Sequence, residues 1–272
     1  MTITFKSKTG EAYHVKVLAE LLANNLKTGC FKVSENGISL RMFDHHRKTL
    51  VDMDMLAENF SMYKFKLQDP FCLGLNLNHF HKMLKSIKKK DSLQLFINSE
   101  NSNELGIKTI PKENTRITTS NIKIQTIQNL DIDTPAGYNK PVIVPSAEFQ
   151  KMCKDLSSIG STNIHVVARN FHIEFIADAD GILRRKVAFG ENEDSDDEDS
   201  DDENTEYAAT FSTDQLTRIT KLAGLGHTMQ IFPAHNNLPL LFRTSVGSLG
   251  KISIYVKSKE LVEYETHAFE DD

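Results

Sequence analysis

Short stretches of alternating apolar and polar residues recur along the chain and predict β-strands. The alternation is clearest at 38–51, where Ile38, Leu40 and Met42 share one side. The turn sequence Ser-Glu-Asn-Gly at 34–37 predicts a hairpin leading into this stretch. Further alternating or short apolar runs lie at 93–97, 122–127, 164–167, 171–175 and 252–256. The chain is therefore predicted to be mostly β.

Three stretches with helical periodicity, at 78–90, 146–156 and 212–222, interrupt the strands and share one pattern. Apolar residues at i, i+3, i+4 and i+7 predict that each helix buries one stripe. The first predicted stripe consists of Phe80, Met83, Leu84 and Ile87. Each stretch begins with a residue that favours the N-cap position, and these residues are Asn78, Ser146 and Ser212.

A row of cations accompanies each apolar stripe on a different face of the helix. A single charged face usually means no more than a solvated helix surface. Here three helices carry positive charge at the same positions relative to their apolar stripes. This repetition favours a polyanionic partner, most commonly a nucleic-acid backbone. Because lysine predominates and aromatic residues are not interleaved, the pattern suits sequence-independent contact with duplex phosphates. The cations are Lys82, Lys85, Lys89, Lys151, Lys154, Arg218 and Lys221, with Lys16 in a weaker copy near the N-terminus.

The helical stretches are followed by strands at similar intervals, so the chain resembles several copies of one strand, helix and strands unit. Two pairs of units would form two similar domains. The best linker is 130–138, which contains Pro135 and Gly137. We expect an N-terminal domain at 1–123, a connector at 124–140 and a C-terminal domain at 141–272.

Charge distribution changes the first impression of an acidic protein. The 272 residues have a net charge of −5, but the segment 191–203 holds ten of the 37 acidic side chains. Without this segment the chain has 27 acidic and 32 basic residues, which gives a net charge of +5. The segment is predicted to be a solvated loop, spanning 191–204, between strands that end near Phe189 and begin near Glu206. Within it, Ser195 and Ser200 each begin Ser-Asp-Asp-Glu, which is typical of acid-directed kinase sites.

Other classes of protein find little support in the sequence. The three cysteines, Cys30, Cys72 and Cys153, have neither a zinc-ligand spacing nor a disulfide framework and favour a reducing compartment. The N-terminus lacks a secretory signal pattern, and no apolar run approaches the roughly 18–20 residues of a membrane span. We therefore expect a soluble intracellular protein without metal, cofactor or catalytic residues.

A metal-dependent nuclease stays open as an alternative of a different class. Its metal ligands would be the carboxylate pairs Asp52 with Asp54 and Asp178 with Asp180. A two-metal site needs several converging carboxylates, and no further acidic motif supports one. Ordinary surface roles are therefore the favoured interpretation of both pairs.

Three stretches are similar to one known family. Residues 144–160, which include Pro-Ser-Ala-Glu-Phe-Gln-Lys-Met-Cys-Lys-Asp-Leu, closely resemble the start of the second domain of the proliferating cell nuclear antigen (PCNA) family of eukaryotic-type DNA sliding clamps. Residues 34–44 resemble its first-domain hairpin, and 74–85 its second helix. The likeness spans roughly 3–260, apart from the acidic segment.

The resemblance implies an α+β fold with two similar clamp domains, each with helices on one side and antiparallel sheets on the other. Three subunits would close head to tail around duplex DNA, with the cations listed above facing it. Subunits would pair through edge strands at about 121–127 and 182–189, and the interface residues would be Ile122, Ile124, Leu183, Arg185 and Val187. A groove for partner peptides would use Phe43, Arg47, Leu50, Leu130, Ile132 and Pro239.

The implied function is that of a non-enzymatic processivity factor of cellular or viral origin, which tethers DNA polymerase and other replication and repair proteins to double-stranded DNA. A separate ATP-driven clamp loader would place the ring on DNA, in the nucleus or another site of replication such as a viral replication compartment. The chain departs from the family at 257–260, where Lys-Ser-Lys-Glu replaces Ala-Pro-Lys-Ile, and at Asn170, where a glycine turn is expected. Two further alternatives are a subunit of a heteromeric checkpoint clamp and a monomeric polymerase accessory factor.

Overall fold

A computed structural model of the chain describes residues 3–113, 116–128, 130–138, 140–190, 207–233 and 238–268. Within these ranges strands greatly outnumber helices, as the alternating pattern predicts. The predicted acidic loop, with Ser195 and Ser200, lies outside the described residues. The flanking strands end at Phe189 and begin at Tyr207, close to the predicted positions.

The elements of the first half are β1 (Ile3–Thr9), α1 (Ala12–Asn25), β2 (Thr28–Ser34), β3 (Gly37–Phe43), β4 (Thr49–Leu56), β5 (Met62–Phe65), β6 (Phe71–Asn76), α2 (Leu77–Leu84), β7 (Ser92–Asn98), β8 (Asn101–Ile110) and β9 (Thr118–Lys123). Those of the second half are β10 (Val142–Pro145), α3 (Ser146–Ser157), β11 (Asn163–Arg169), β12 (His172–Ala179), β13 (Leu183–Phe189), β14 (Tyr207–Ser212), α4 (Thr213–Arg218), β15 (Thr228–Phe232), β16 (Leu240–Val246), β17 (Gly250–Val256) and α5 (Lys259–Ala268).

The same order of elements occurs four times. Each of the first four helices directly follows a strand and precedes another, in the orders β1-α1-β2, β6-α2-β7, β10-α3-β11 and β14-α4-β15. This confirms the repeated unit that the sequence predicts. The chain divides into two compact units. Unit 1 comprises 1–133, 224–226 and 244–253, and unit 2 comprises 134–223, 227–243 and 254–272.

Unit 1 combines a five-stranded antiparallel sheet, in the order β5-β1-β7-β8-β9, with strands in the order β4-β3-β2-β6. The predicted hairpin joins β2 to β3 and closes with Ser34 opposite Gly37. Helices α1 and α2 pack against each other. The ring of Phe80 in α2 lies 6.4 Å from that of Phe31 in β2, so the helix buries its apolar stripe against the strands.

Unit 2 has a four-stranded antiparallel sheet in the order β13-β12-β11-β14, and strands in the order β10-β15-β16. Helices α3 and α4 pack against each other. Phe149 of α3 is fully buried, with its ring 6.1 Å from that of Phe175 and 5.5 Å from that of Phe242. At the turn between β11 and β12, Asn170 has φ 50°, so it adopts the left-handed conformation for which glycine is expected.

Helix α2 is shorter than predicted, and its boundaries correct three expectations. Its N-cap is Asn76, whose side chain accepts from the N–H of His79 at 3.0 Å, so the prediction of Asn78 as the cap is wrong. The helix ends at Leu84, and further along the chain Asp91 accepts from the N–H of Lys88 at 2.9 Å in a turn at 88–91. Lys89 therefore lies beyond the helix. Met83 is 38% exposed and falls outside the buried stripe.

Of the two other predicted N-caps, one is correct and one is wrong. Ser212 makes the predicted cap, since a capping box with Gln215 begins α4. At α3 the N-cap is Pro145, and the hydroxyl of Ser146 is buried without a hydrogen-bond partner, so the cap prediction for Ser146 is wrong. Helix α4 ends at Arg218, and a 3-10 turn follows at Thr220–Gly224.

Two edge segments also differ from expectation. The strand predicted at 122–127 ends at Lys123. Gln125 no longer pairs with β8, and its N–H instead donates to the carbonyl of Gly74 in β6 at 2.8 Å. Helix α5 was not predicted, and it begins where the hydroxyl of Ser258 accepts from the N–H of Leu261 at 3.1 Å. Helix α5 packs against the edge strand β14, which precedes α4. In unit 1, Gln125 bridges to the edge strand β6, which precedes α2. In both units, therefore, a later segment covers an edge strand that leads into a helix.

Candidate nucleic-acid interface

Helices α2 and α3 present cations opposite their buried residues. In α2, Phe80 and Leu84 are buried while Lys82 is exposed, and Lys85 is exposed at the C-cap. In α3, Phe149 is buried together with Met152, Cys153 and Leu156. The exposed cations of α3 are Lys151 and Lys154. Each helix thus fixes its lysines on the side away from the core, where an anionic partner can approach.

An aromatic ring brings two further predicted cations together in unit 1. The ammonium nitrogens of Lys16 and Lys89 each lie 5.8 Å from the ring centroid of Tyr13 in α1. Lys16 Nζ also donates to the carbonyl of Ile87 at 3.0 Å. Lys89 therefore lies beside α1 although it is not part of α2. Tyr13 was not predicted from the sequence, and its position three residues before Lys16 is the signal that could have identified it.

The cationic face of α4 is weaker. Arg218 forms an ion pair with Asp214 at 2.5 Å within the same helix. Lys221 is half-buried in the 3-10 turn that follows. Much of the charge on this copy is therefore balanced locally, whereas the lysines of α2 and α3 extend into solvent.

A recess of about 690 Å³ in unit 1 adds cations that the sequence analysis did not single out. Its rim includes both Lys89 and residues near the start of β9. The charged residues that line it are Lys88, Lys89, Lys90, Lys112 and Arg116, with Asp91 and Glu113 as the acidic members. The excess of positive charge makes it a second surface suited to phosphate groups.

The two strands predicted to pair subunits are edge strands of their sheets. Among the described strands, β9 pairs only with β8, and β13 only with β12. Along β9, Ile122 is buried and Ile124, just beyond it, is half-buried. Along β13, Leu183 and Arg185 are exposed and Val187 is half-buried.

Exposed apolar residues mark the start of both edge strands. Ile117, directly before β9, is 49% exposed, and Ile182, directly before β13, is 83% exposed. Leu183 adds a third exposed apolar side chain. Ile117 and Ile182 were not predicted from the sequence as interface residues. A bulky apolar residue at the beginning of a polar strand is the signal that could have identified them.

Two of the three cations along β13, Arg185 and Lys186, have partners within unit 2. Lys186 Nζ lies 2.6 Å from a carboxylate oxygen of Glu174 in β12, which His172 also contacts at 3.2 Å. The hydrogen bond from Lys186 is the main reason why the pKa of Glu174 is below its ordinary value. Arg185 donates to the carbonyl of Asp155 at 3.4 Å. The basic strand is therefore less repulsive to a neighbour than its sequence suggests.

The predicted peptide-groove residues of unit 1 differ in accessibility. Phe43 and Leu50 are paired across β3 and β4, but Leu50 is only 2% exposed and belongs to the core. Arg47 has φ 56° and lies 5.8 Å from the Phe43 ring. Leu130 is 53% exposed. The carbonyl of Ile132 accepts from Arg41 at 3.1 Å.

In unit 2, Pro239 belongs to an aromatic cluster. Its carbonyl accepts from the hydroxyl of Tyr138 at 2.8 Å. The Tyr138 ring lies 6.2 Å from that of Phe232 and 6.0 Å from that of Tyr255. The two tyrosines were not predicted as groove residues, because nothing in their local sequence pattern distinguishes them from ordinary core aromatics.

The carboxylate pairs have structural partners. Asp52 pairs with Arg41 at 2.9 Å, and burial and the Asp52 charge raise the pKa of Asp54. Asp178 accepts from the N–H of Gly181 at 2.7 Å in the turn before β13. In the described part of the chain, no three His, Cys, Asp or Glu side chains come together as metal ligands could. None of the described helices is long and apolar enough to cross a membrane.

Comparison with known proteins gives consistent matches. The family model described as proliferating cell nuclear antigen, N-terminal domain, matches residues 4–134, and the model for its C-terminal domain matches 115–259. A probable DNA polymerase sliding clamp 1 of Paramecium bursaria Chlorella virus 1 is 24% identical over 260 residues, covering 93% of this chain and 96% of the viral protein.

An archaeal relative and a solved structure agree with this. The DNA polymerase sliding clamp of Thermococcus onnurineus is 30% identical over 170 residues, covering 61% of this chain and 64% of the archaeal protein. The crystal structure of the proliferating cellular nuclear antigen from Entamoeba histolytica matches the fold with a TM-score of 0.80 and 20% identity. That match covers 95% of this chain and all of the other.

Proposed function

The chain belongs to the proliferating cell nuclear antigen family and is a DNA sliding clamp, and we propose that it works as a closed ring of three copies without catalysis. The observation that supports this most directly is the repeated helix with a buried apolar stripe and exposed lysines, seen in α2 and α3. A ring that surrounds DNA needs such a surface, because it must attract phosphates without holding any one position.

The proposed DNA-facing surface explains how a clamp can stay bound and still slide. A ring cannot leave DNA sideways, so each contact between a lysine and a phosphate can be weak and short-lived. Lysine suits this role because its ammonium group is a hydrated point charge without the geometry that reads bases. The residues proposed to face DNA are Lys16, Lys82, Lys85, Lys89, Lys151, Lys154, Arg218 and Lys221.

Ring closure is proposed to occur by pairing of β9 of one copy with β13 of the next. Within the described part of the chain each of these strands has one unpaired edge, and the N–H and C=O groups along such an edge are satisfied by a new strand. Ile117, Ile182 and Leu183 would add apolar contacts at the ends of that pairing. Because the two edges differ, the contact is head to tail, and it gives a ring when the rotation between copies closes.

The partners follow from this arrangement. The clamp tethers a DNA polymerase, whose effective concentration at the primer end rises because both are held on one DNA molecule. Apolar peptides of partners are proposed to dock on the groove residues, with Leu130 as the most exposed apolar one. We further propose loading by a separate clamp loader, domain limits at 1–123 and 141–272, and action at sites of DNA replication.

The oligomeric state and the retention on DNA test the proposal together. Light scattering during size-exclusion chromatography should give three copies per particle. After assembly on nicked circular DNA with the cognate loader and ATP, the protein should survive a high-salt wash, and linearising the DNA should release it.

Other outcomes would support the alternatives. A particle that stays monomeric would favour a heteromeric ring, and salt-sensitive retention on circular DNA would favour a monomeric accessory factor. Cleavage of duplex DNA with Mg²⁺ or Mn²⁺ would show a nuclease.

A further inference from the structure

Two cysteines of unit 1 lie diagonally on one face of adjacent strands. In the antiparallel pair of β2 and β6, Cys30 is opposite Gly74 and Lys32 is opposite Cys72. Residues opposite each other, and those two apart along a strand, share a face of the sheet. Cys30 and Cys72 are therefore diagonal neighbours on one face of the sheet.

The two thiols differ in access to solvent. Cys72 is exposed, whereas Cys30 is only 3% exposed. Burial, with a smaller contribution from Cys72, raises the pKa of Cys30 to about 12. A dissolved oxidant can therefore reach Cys72 first, and Cys30 is placed to react only with a group already on Cys72.

The segment that follows β9 crosses over this pair. Gln125 donates to the carbonyl of Gly74 at 2.8 Å, and the thiol of Cys30 donates to the carbonyl of Ile127 at 3.8 Å. A Cβ atom at residue 74 would lie 2.0 Å from the carbonyl oxygen of Gln125, so glycine is needed for this approach. The cysteine pair and the crossing segment thus share one small region.

We propose that Cys30 and Cys72 are a reversible redox modification site, at which a hydroperoxide converts the two thiols into an intrachain disulfide. The thiolate of Cys72 attacks the peroxide oxygen, the O–O bond breaks, and Cys72 becomes a sulfenic acid while the peroxide's other oxygen leaves as water or alcohol. The sulfur of Cys30 then attacks the sulfur of Cys72. The S–O bond breaks, and the hydroxyl leaves with the Cys30 proton as water.

Closing this bond requires the strands to move. A disulfide usually holds Cα atoms about 4.4–6.8 Å apart, whereas diagonal neighbours in a regular sheet are about 7–8 Å apart, with their Cβ atoms somewhat closer. Strand β6 is at the edge of its sheet and can shift toward β2 more easily than an inner strand. A bond formed with such strain is readily reduced, as a reversible switch requires.

Oxidation would also loosen the crossing segment. The disulfide removes the thiol hydrogen that the carbonyl of Ile127 accepts, and movement of β6 disturbs the hydrogen bond between Gln125 and Gly74. This segment leads into the stretch with Leu130 and Ile132. An effect on partner docking there rests on the proposed function, whereas the disulfide itself does not.

The disulfide can be tested on the purified full-length protein without DNA. After exposure to hydrogen peroxide, unfolding and alkylation should label one cysteine instead of three, and peptide mass spectrometry should find Cys30 linked to Cys72. Cys153, only 1% exposed in unit 2, is the internal control and should be the thiol that stays free. Dithiothreitol should restore all three thiols. Three free thiols after peroxide, or a bond between Cys72 residues of two chains, would overturn the proposal.

Matched variants separate the two chemical steps. Cys30→Ser should leave Cys72 as a sulfenic acid that a cyclic 1,3-dione traps, whereas Cys72→Ser should stay unreactive. Equal trapping in both variants would contradict the assigned order. Hydrogen exchange at the Gln125 amide should be faster in the oxidised wild-type protein than in the reduced one, and an unchanged rate would show that the crossing segment does not respond.

Discussion

Both carboxylate oxygens of Glu260 accept hydrogen bonds from the backbone N–H of Thr210, at 3.1 and 3.0 Å. Glu260 is in the first turn of α5, and Thr210 is in β14, at the edge of its sheet. An ion pair of 2.6 Å between Lys257 and Glu265 also fastens the helix. A side chain thus satisfies an edge amide that would otherwise be open to another strand.

Replacing Glu260 with Gln should loosen α5 and make stability less sensitive to acid. Burial alone would raise the pKa of Glu260, but the hydrogen bonds from Thr210 and its other neighbours lower it below 4.5. Because the folded protein favours the carboxylate, its contribution is present at neutral pH and is lost as pH falls through the lowered pKa. We expect a loss of about 0.5–1 kcal/mol at pH 7 that diminishes in acid.

Urea unfolding at pH 7 and at about pH 3.5 would measure this difference. Glu263→Gln, at an exposed position of the same helix, is the control and should change stability little. An equal loss for both variants would show that the bond to Thr210 has no special importance.

Replacing Tyr13 with Leu should weaken DNA retention although tyrosine has no charge to lose. Its ring holds the ammonium groups of Lys16 and Lys89 near each other. A cation–π contact is worth about 0.5–1 kcal/mol at an exposed site, so a roughly 2–5-fold lower affinity for linear duplex DNA is expected. Tyr13→Phe keeps the ring and should bind like the wild type. Equal weakening by both variants would assign the effect to the hydroxyl instead.

Neutralising the lysines of α3 should change how DNA binding depends on salt. In the double variant Lys151→Gln with Lys154→Gln, the slope of log affinity against log salt concentration should fall by up to about 2, since each lost phosphate contact removes about 0.9. The control pair is Lys32→Gln with Lys64→Gln, exposed on β2 and β5. Fluorescence anisotropy with duplex DNA at several salt concentrations measures both slopes. Equal slopes for the two double variants would contradict a DNA-facing α3.

Introducing a charge at the start of β13 should dissociate the ring. Leu183 is 57% exposed in the single chain and would be covered by the next copy. Covering a leucine contributes about 1.5–3 kcal/mol, so Leu183→Glu should weaken subunit association by at least about tenfold. Leu67→Glu, at an apolar position 42% exposed in unit 1, is the control. Analytical ultracentrifugation over a range of concentrations would show the change, and an unaltered trimer would place the interface elsewhere.

Regular periodicity made most of the fold predictable from sequence. The strands, the four repeated helix positions and the cap at Ser212 follow from local patterns that tertiary contacts reinforce. The end of α2 was not predictable in this way. The residues predicted to form its last turn instead form a turn at 88–91, in which Asp91, outside the helical pattern, accepts from the N–H of Lys88.

The functional surfaces were predictable only in part, for a related reason. Helical spacing identifies Lys151 and Lys154 as neighbours on one exposed face. It does not show that Tyr13 lies between Lys16 and Lys89, because residue 89 is 76 positions away and outside any helix. Helix α5 was missed because its anchor, Thr210, is on a strand distant in sequence.

If copies join through β9 and β13 as proposed, this pairing has a consequence for mixtures of intact and altered copies. Every copy in a closed ring of three must bind a neighbour on each side, so one copy with a blocked edge leaves an open arc. When half of the copies are altered and rings of three assemble at random, about one ring in eight would contain only intact copies. A substitution that blocks one edge strand would therefore have a dominant effect, because the fraction of rings that cannot close would exceed the fraction of altered copies.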